Sequence, residues 1–482
     1  MNAARDERKS LSRVPPRSLT VLALAFVGLT ASFMFTLIVP LQADLPAVLG
    51  ESREDTAWVV TITMLVSATI TPIVGRLGDM FGKRRIVLIL VGILILGSVI
   101  AALSTGIIGI IIGRGMQGGG MGVIPLGIAI MRDVLPPEKL GTAVALMSAT
   151  MGIGGSLGLP LAAYIAETAD FHMLFWLAAG LGVISLLLVW RLVPEDVLRF
   201  PGRVDFIGAI GLAAGMTGIL LMLSRGAGWG WSSALTLGCG IGGIVIMLLW
   251  GWYQMRAKEP LLNLRIVARR SVLFTNIAAL CMGFALFSSN VTFPQMLELP
   301  VETGSGFGLS MLGAAWVVMP SGITMLLIAP ISGWLERTIG PRIMAIIGTS
   351  FIMISYLFVL VFSSEIWHIL MANLLIGVGI GFSFAAMPII IMRSVPTQET
   401  GASNGVNSLF RNVGSATGSA VMGGVLAAVS TTYEGAIVPT RAAFDICFWL
   451  AIVVAAAAVM LTVMIPKRIT LDPHPSIPES RL

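Results

Sequence analysis

The sequence predicts an all-α polytopic membrane protein with fourteen transmembrane helices, arranged as two six-helix bundles in parallel repeat plus a two-helix insertion. Three observations predict it: an apolar composition, a series of long apolar runs, and a repeat of one half of the chain in the other. Of the 482 residues 56% are hydrophobic and 11% charged, and the mean hydropathy is +0.94. Soluble domains average about 45–50% apolar and about 25% charged residues. A spanning helix needs roughly 20 apolar residues, so a dozen or more spans fit and little is left for a soluble domain. Three cysteines are too few for a disulfide scaffold.

Apolar runs bounded by charged or Gly/Pro clusters place the spans at 19–41, 56–74, 86–104, 107–131, 140–166, 171–193, 204–224, 232–252, 270–297, 308–333, 341–363, 366–392, 401–431 and 443–465. The first run is too long for a signal-peptide core and has no small-residue cleavage site, so it reads as a retained helix. The implied organisation is a cytoplasmic tail over 1–18, an N-terminal bundle over 19–193, two inserted helices over 204–252, a C-terminal bundle over 269–465 and a cytoplasmic tail over 466–482.

Charge tests this count. With the N-terminus in the cytoplasm, 25 of the 30 Lys and Arg fall on the inner side and three (Arg53, Arg225 and Arg441) on the outer side. The other two, Arg114 and Arg411, lie inside spans 4 and 13. One missed or invented helix would invert every later loop and destroy the split. The reading is therefore a multi-pass protein of the cell (inner) membrane with both termini cytoplasmic. The net charge of +6 reflects inner loops facing anionic lipid, and no nucleic-acid partner is implied.

Shifting the chain by 258 residues aligns Trp58-Val59-Val60 with Trp316-Val317-Val318, and Ile70, Pro72, Ile73, Gly75, Leu77, Gly82 and Arg84 with their copies. At shifts of 260–261, Arg132 meets Arg393, Gly141 meets Gly401, Ser148 meets Ser408, Gly154 meets Gly414 and Gly158 meets Gly418. Spans 1–6 thus recur as spans 9–14 in the same orientation, with spans 7 and 8 inserted. Parallel six-helix repeats mark a transporter whose site lies between the halves near the midplane.

The segment after span 2 reads Gly75-Arg76-Leu77-Gly78-Asp79-Met80-Phe81-Gly82-Lys83-Arg84-Arg85. Taken alone it is a loop with one acid among four cations, as an ordinary stop-transfer cluster has. Its G-x-L-x-D-x-x-G-K-R spacing, however, resembles the signature loop of the major facilitator superfamily. Arg114-Gly115-Met116-Gln117-Gly118 in span 4 is similar to that superfamily's R-x-x-Q-G motif. The whole chain resembles the fourteen-helix drug:proton antiporter branch. The resemblance implies a secondary exporter of small amphiphilic drugs or metabolites, working by alternating access and coupled to protons, with no enzymatic activity and no cofactor. It implies a gating loop (Gly75, Asp79, Gly82, Lys83, Arg84) in which Asp79 pairs with nearby cations and with the start of a helix in the other half. That contact would latch the cytoplasmic side closed. The repeat copy carries Arg337 in the place of Asp79, so the expected charge latch is asymmetric.

Two departures matter. The branch's G-P followed by G-G in span 5 is here Gly158-Leu159-Pro160-Leu161-Ala162-Ala163, which keeps small volume for helix packing but splits the motif. The branch's D-x-T in span 1 is Met34-Phe35-Thr36, so its proton-binding carboxylate is absent. Of the 24 acids, 13 assign to the inner side and 11 to the outer, none near a span centre. The deepest are Asp44, Glu298, Asp445 and Asp205, and Glu298 is the proton-coupling candidate.

The transport path is expected to draw on Arg114, Gln117, Met34, Gly158, Pro160, Asn407 and Arg411. Arg114 can either bond carbonyls of span 1 or serve coupling. Arg411 sits roughly 15 Å into span 13, where Asn404, Asn407 and Asn412 make the helix polar enough to line water or to bond a neighbouring helix. Phe33, Met34, Phe35, Met147, Met151, Phe284 and Phe287 can form an adaptable cavity or face lipid. His172, His368 and His474 show no metal spacing, and the chain has no nucleotide-binding glycine loop. Two arginines and no acid at midplane depth favour neutral or anionic amphiphiles over cations. The competing reading is a proton-independent facilitator or importer of a small metabolite. A scaffold or receptor would have no need of midplane arginines. A monomer is expected.

Overall fold

A computed structural model of the chain describes residues 16–38, 41, 45–195, 203–433 and 436–467. Nearly all of both tails and Asp44 lie outside the described residues, as does His474. The long helices are α1 (Arg17–Thr36), α2 (Trp58–Phe81), α3 (Lys83–Leu103), α4 (Ile107–Gly120), α5 (Val123–Val134), α6 (Pro137–Thr168), α7 (His172–Leu192), α8 (Phe206–Trp229) and α9 (Ala234–Arg256). They continue with α10 (Arg270–Glu298), α11 (Met311–Val318), α12 (Pro320–Ile339), α13 (Pro341–Val361), α14 (Ile366–Ser394), α15 (Thr400–Ala428) and α16 (Arg441–Met464).

Two spans are broken in two. Span 4 becomes α4 and α5 because Pro125 has no amide to offer the preceding turn, and the chain tightens there: the Met121 and Gly122 amides donate to the carbonyls of Gly118 and Gly119. Span 10 becomes α11 and α12 at Pro320 for the same reason, while Met319 stays in helical conformation, so the helix axis continues. With these pairs joined, thirteen helices among the described residues are long and apolar enough to cross a membrane. The fourteenth, α15, has the length, at 29 residues, but carries Asn404, Asn407, Arg411 and Asn412 in place of apolar residues. This is a multi-pass membrane protein.

Four boundaries correct the sequence reading. The Gly75–Phe81 segment is the last two turns of α2, not a loop; helix persists until Gly82, whose φ of +101° ends it, and Gly340 (φ +82°) ends α12 at the repeated position. Arg225 lies in the last turns of α8 instead of an outer loop, its guanidinium 4.8 Å above the Trp58 ring and 5.7 Å from that of Trp229. Span 13 ends at Ala428, because the β-branched run that follows forms an antiparallel hairpin: β1 (Ser430–Tyr433) pairs with β2 (Ala436–Pro439) in the register Ser430 to Pro439. Span 1 stops as helix at Thr36, five residues short of its apolar run.

The apolar core is divided. One cluster draws on α1 to α7 and another on α10 to α16, each borrowing a few residues from the other half: Ile389 and Met392 pack into the first, Ala145 and Ala149 into the second. The halves meet along two seams, α2 against α15 and α6 against α12. The inserted α8 packs on the first seam, touching both α2 and α15, and α9 packs outside it. Asp205 caps α8 and holds the insertion together, accepting from the Gly208 amide (2.7 Å), Tyr253 (3.0 Å) and Gln254 (2.7 Å). It is a structural cap.

Candidate functional site

A cavity of about 140 Å³ lies between the halves, walled by α1, α2, α6, α10, α11, α12, α14 and α15. Its surface is built from flexible apolar side chains (Met64, Met121, Met151, Met325, Phe287, Phe384) interleaved with Ser and Asn, and it carries one charge, Arg411. Such a lining accommodates varied shapes through Met and Phe while a few polar groups orient the occupant. The tightened break between α4 and α5 brings Met121 to the wall.

Arg411 is buried, and no acid pairs with it among the described residues. One of its terminal nitrogens donates to Ser408 Oγ (3.3 Å), its guanidinium carbon lies 4.9 Å above the Phe384 ring, and Nε has no acceptor. One turn along α15, Asn407 donates to Asn276 of α10 (3.1 Å), which is helix-to-helix bonding, whereas Asn412 reaches the cavity.

Arg114 is a different arginine. Its Nε donates to the Val59 carbonyl (3.2 Å), one terminal nitrogen to the Met34 carbonyl (2.7 Å) and Gln117 Oε1 (2.9 Å), and the other to the Phe35 carbonyl (3.3 Å). Met34 and Phe35 belong to the last turn of α1, whose carbonyls have no donor within the helix. Arg114 therefore caps α1, and Gln117 extends the network to Ser98 Oγ (2.8 Å). Neither Arg114, Gln117 nor Met34 lines the cavity. Gly158 packs against α1 at Thr36, Pro160 is buried inside α6, and both lie outside the lining. Of the aromatic and Met candidates, Phe35, Met151 and Phe287 line it; Phe33, Met34, Met147 and Phe284 are buried between helices, so none of the seven faces lipid. Glu298 is exposed at the end of α10, away from the cavity.

Below the cavity, toward the end of the bundle where the Lys and Arg gather, the halves are joined by polar contacts. Asp79, fully buried at the end of α2, accepts from the backbone amides of Gly401 (3.3 Å) and Ala402 (3.1 Å) at the start of α15. Lys83 Nζ lies 3.9 Å from Asp79 and bonds Asp133 as well. Arg132 reaches Thr400 across the seam, whereas Arg84 stays within its own half, donating to the Trp190 carbonyl (2.6 Å). The approach at Gly401 is close enough that a Cβ there would come within 2.8 Å of the carboxylate.

The second seam places an acid at the matching position but gives it no amide across the seam among the described residues. Glu336, buried at the end of α12, bonds Arg393 and lies against Gly141 of α6, where a Cβ would come within 2.5 Å of its carboxylate. Arg337 instead reaches the Glu138 carbonyl (3.2 Å). Gly141 and Arg393 are the repeat partners of Gly401 and Arg132, so each half presents an acid to the start of a long helix in the other.

Several other titratable groups bond within the fold. His172 bonds Asp170 (2.5 Å) and the Ser104 carbonyl (2.8 Å). His368 accepts from the Glu365 amide (3.0 Å) in a capping box. Asp445 pairs with Arg441 (3.1 Å), and Cys239, Cys281 and Cys447 are unbridged.

Sequence comparison matches residues 24–419 and again 275–481 to the family described as Major Facilitator Superfamily. The chain is 25% identical over 416 residues to Multidrug resistance protein 3 of Bacillus subtilis, covering 85% of this chain and 80% of that protein. It is 27% identical over 426 residues to Multidrug resistance protein Stp of Mycobacterium tuberculosis, covering 86% and 77%. In fold it is similar to the human organic anion transporter MFSD10, with a TM-score of 0.66 at 15% identity over 94% of this chain and all of that one.

Proposed function

This chain belongs to the Major Facilitator Superfamily and resembles its drug-efflux branch, and from that premise we propose that it exports small amphiphilic molecules, neutral or anionic, by alternating access. The observation that carries the reading is the cavity between the halves, apolar and Met-rich, with Arg411 as its one charge. A fixed cation and no carboxylate oppose a cationic occupant in a low-dielectric site: at an effective dielectric of about 20, a unit charge 4 Å away contributes roughly 4 kcal/mol. Two curated relatives bear multidrug-resistance names, which supports export.

In this reading the basic end faces the cytoplasm of the cell membrane, as the distribution of Lys and Arg supports. Asp79 at the start of α15 and Glu336 beside Gly141 hold that end closed, and their release exposes the cavity inward. A carboxylate at a helix N-terminus gains about 0.3–2 kcal/mol, enough to hold such a latch while leaving it reversible. The protein acts as a monomer, with membrane lipid around it. Coupling to protons through Glu298 would place the carrier outside the cavity; the absence of any acid from the lining favours the second reading, transport without proton exchange.

Efflux from overexpressing cells tests the proposal. Fluorescent neutral and anionic lipophiles should leave several-fold faster than from vector-only cells, and ethidium should not. Ethidium efflux with no effect on the anionic and neutral probes would overturn it.

A further inference from the structure

We propose that the export cycle is electrogenic and driven by the membrane potential, each turn carrying the negative charge of a monoanionic amphiphile outward with no proton in exchange. The inference rests on the export reading above and deepens it by naming the energy source. Of the 26 residues lining the cavity, none is Asp, Glu, His, Cys, Tyr or Lys. The sole ionisable one is Arg411, and a guanidinium stays protonated in proteins. No lining group therefore loads or unloads a proton near neutral pH.

The acids nearest the path lie outside the lining. Asp79 is held by two amides at the start of α15 and by Lys83, Glu336 by Arg393, and both sit on the seams at the basic end. Glu298 is exposed at the opposite end.

Arg411 has a terminal nitrogen on Ser408, a ring beneath its face, and an Nε with no acceptor among the described residues. Nε is itself sealed from the cavity, so a carboxylate or sulfonate inside meets the guanidinium as the wall's one counter-charge, with Asn412 beside it and the Met and Phe side chains for the apolar body.

The charge balance then follows. The empty cavity carries one positive charge and the loaded cavity none, so over a full cycle only the substrate's charge crosses the membrane. An inside-negative potential draws the empty, positive cavity toward the cytoplasm and thereby resets the carrier for the next anion. Moving one charge through 100 mV corresponds to about 2.3 kcal/mol, or roughly a 50-fold gradient at equilibrium.

The test uses the full-length protein in liposomes at equal pH on both sides, with the potential set by potassium and valinomycin and 1-anilinonaphthalene-8-sulfonate as probe. The expected result is a probe gradient that rises with the potential toward roughly 50-fold at 100 mV, vanishes at zero potential, and is unmoved by an imposed pH gradient. Arg411→Gln should lower the potential-driven rate at least tenfold, and Arg411→Lys should restore most of it. If probe movement follows the pH gradient and ignores the potential, the inference is overturned while anion export stands. If the probe moves under neither gradient and ethidium moves under the pH gradient, both the inference and the export reading for anions fail. The wild-type comparison of the two gradients decides the matter even if the Arg411 variants do not fold.

Discussion

Arg114 and Arg411 are both arginines buried in spanning helices, and the structure gives them opposite surroundings. Arg114 meets four acceptors, three of them backbone carbonyls, and two of those carbonyls end α1. Arg411 meets one hydroxyl and a ring. A buried cation whose donors are spent on the fold is part of the fold. One with no acid partner among the described residues, at a cavity wall, is available to an occupant. Counting acceptors, not depth, separates the two.

The largest effect expected from this comparison is at Arg114. Arg114→Met leaves the Met34 and Phe35 carbonyls at the end of α1 without this donor and takes the Arg114 bond from Gln117 Oε1. Hydrogen bonds to charged groups contribute about 1.5–3 kcal/mol each, and not all are lost outright once neighbours relax. A destabilisation of about 3–5 kcal/mol is expected, read as a lower unfolding temperature and poor recovery of the detergent-purified protein. A variant as stable as the wild type would remove the distinction between the two arginines.

The latches offer a second comparison. Asp79→Asn keeps one acceptor for two amides and removes the charge facing the start of α15, costing about 1–2 kcal/mol. That is a 5- to 30-fold shift of the conformational equilibrium toward opening at the basic end. It should appear as faster labelling of a cysteine placed beneath the cavity, with the protein still present in the membrane. Glu336→Gln should act in the same direction but less, about 0.5–1 kcal/mol, because its carboxylate bonds an arginine whose side chain is 52% exposed and no amide. Equal effects of the two substitutions would show the seams to be energetically alike.

How much of this was legible beforehand follows from the same residues. The spans, the insertion and the duplication could be read because apolar length and positional identity are local properties. The second latch could not be read by alignment, since position 79 aligns with Arg337. On a helix the residues three and four beyond a given one share a face. Asp79 stands four after Gly75, Glu336 three after Gly333, and both acids reach the opposing helix start. Identity counts positions, whereas a seam sees faces. Arg114's role was open for another reason: which carbonyls lie within its reach depends on how α1 and α2 pack, and no spacing in the chain encodes that. The cavity wall was only partly foreseen, because Met64, Met121, Met325 and Phe384 carry no signal apart from their apolar neighbours until the halves come together.

The smallest expected effect is also the sharpest test of the opening comparison. Arg411→Met removes a buried charge that has one bond to a neutral hydroxyl and no acid partner. Ser408 loses a donor but can turn its own hydroxyl elsewhere, and Phe384 keeps an apolar neighbour. Replacing a poorly compensated buried charge with an apolar side chain of similar length is often neutral or stabilising. The unfolding temperature in detergent should therefore stay where it is or rise, a change in stability between zero and about +1 kcal/mol. A loss comparable to that of Arg114→Met would mean that Arg411 is structural too, and the cavity would then lose the one feature that selects the charge of its occupant.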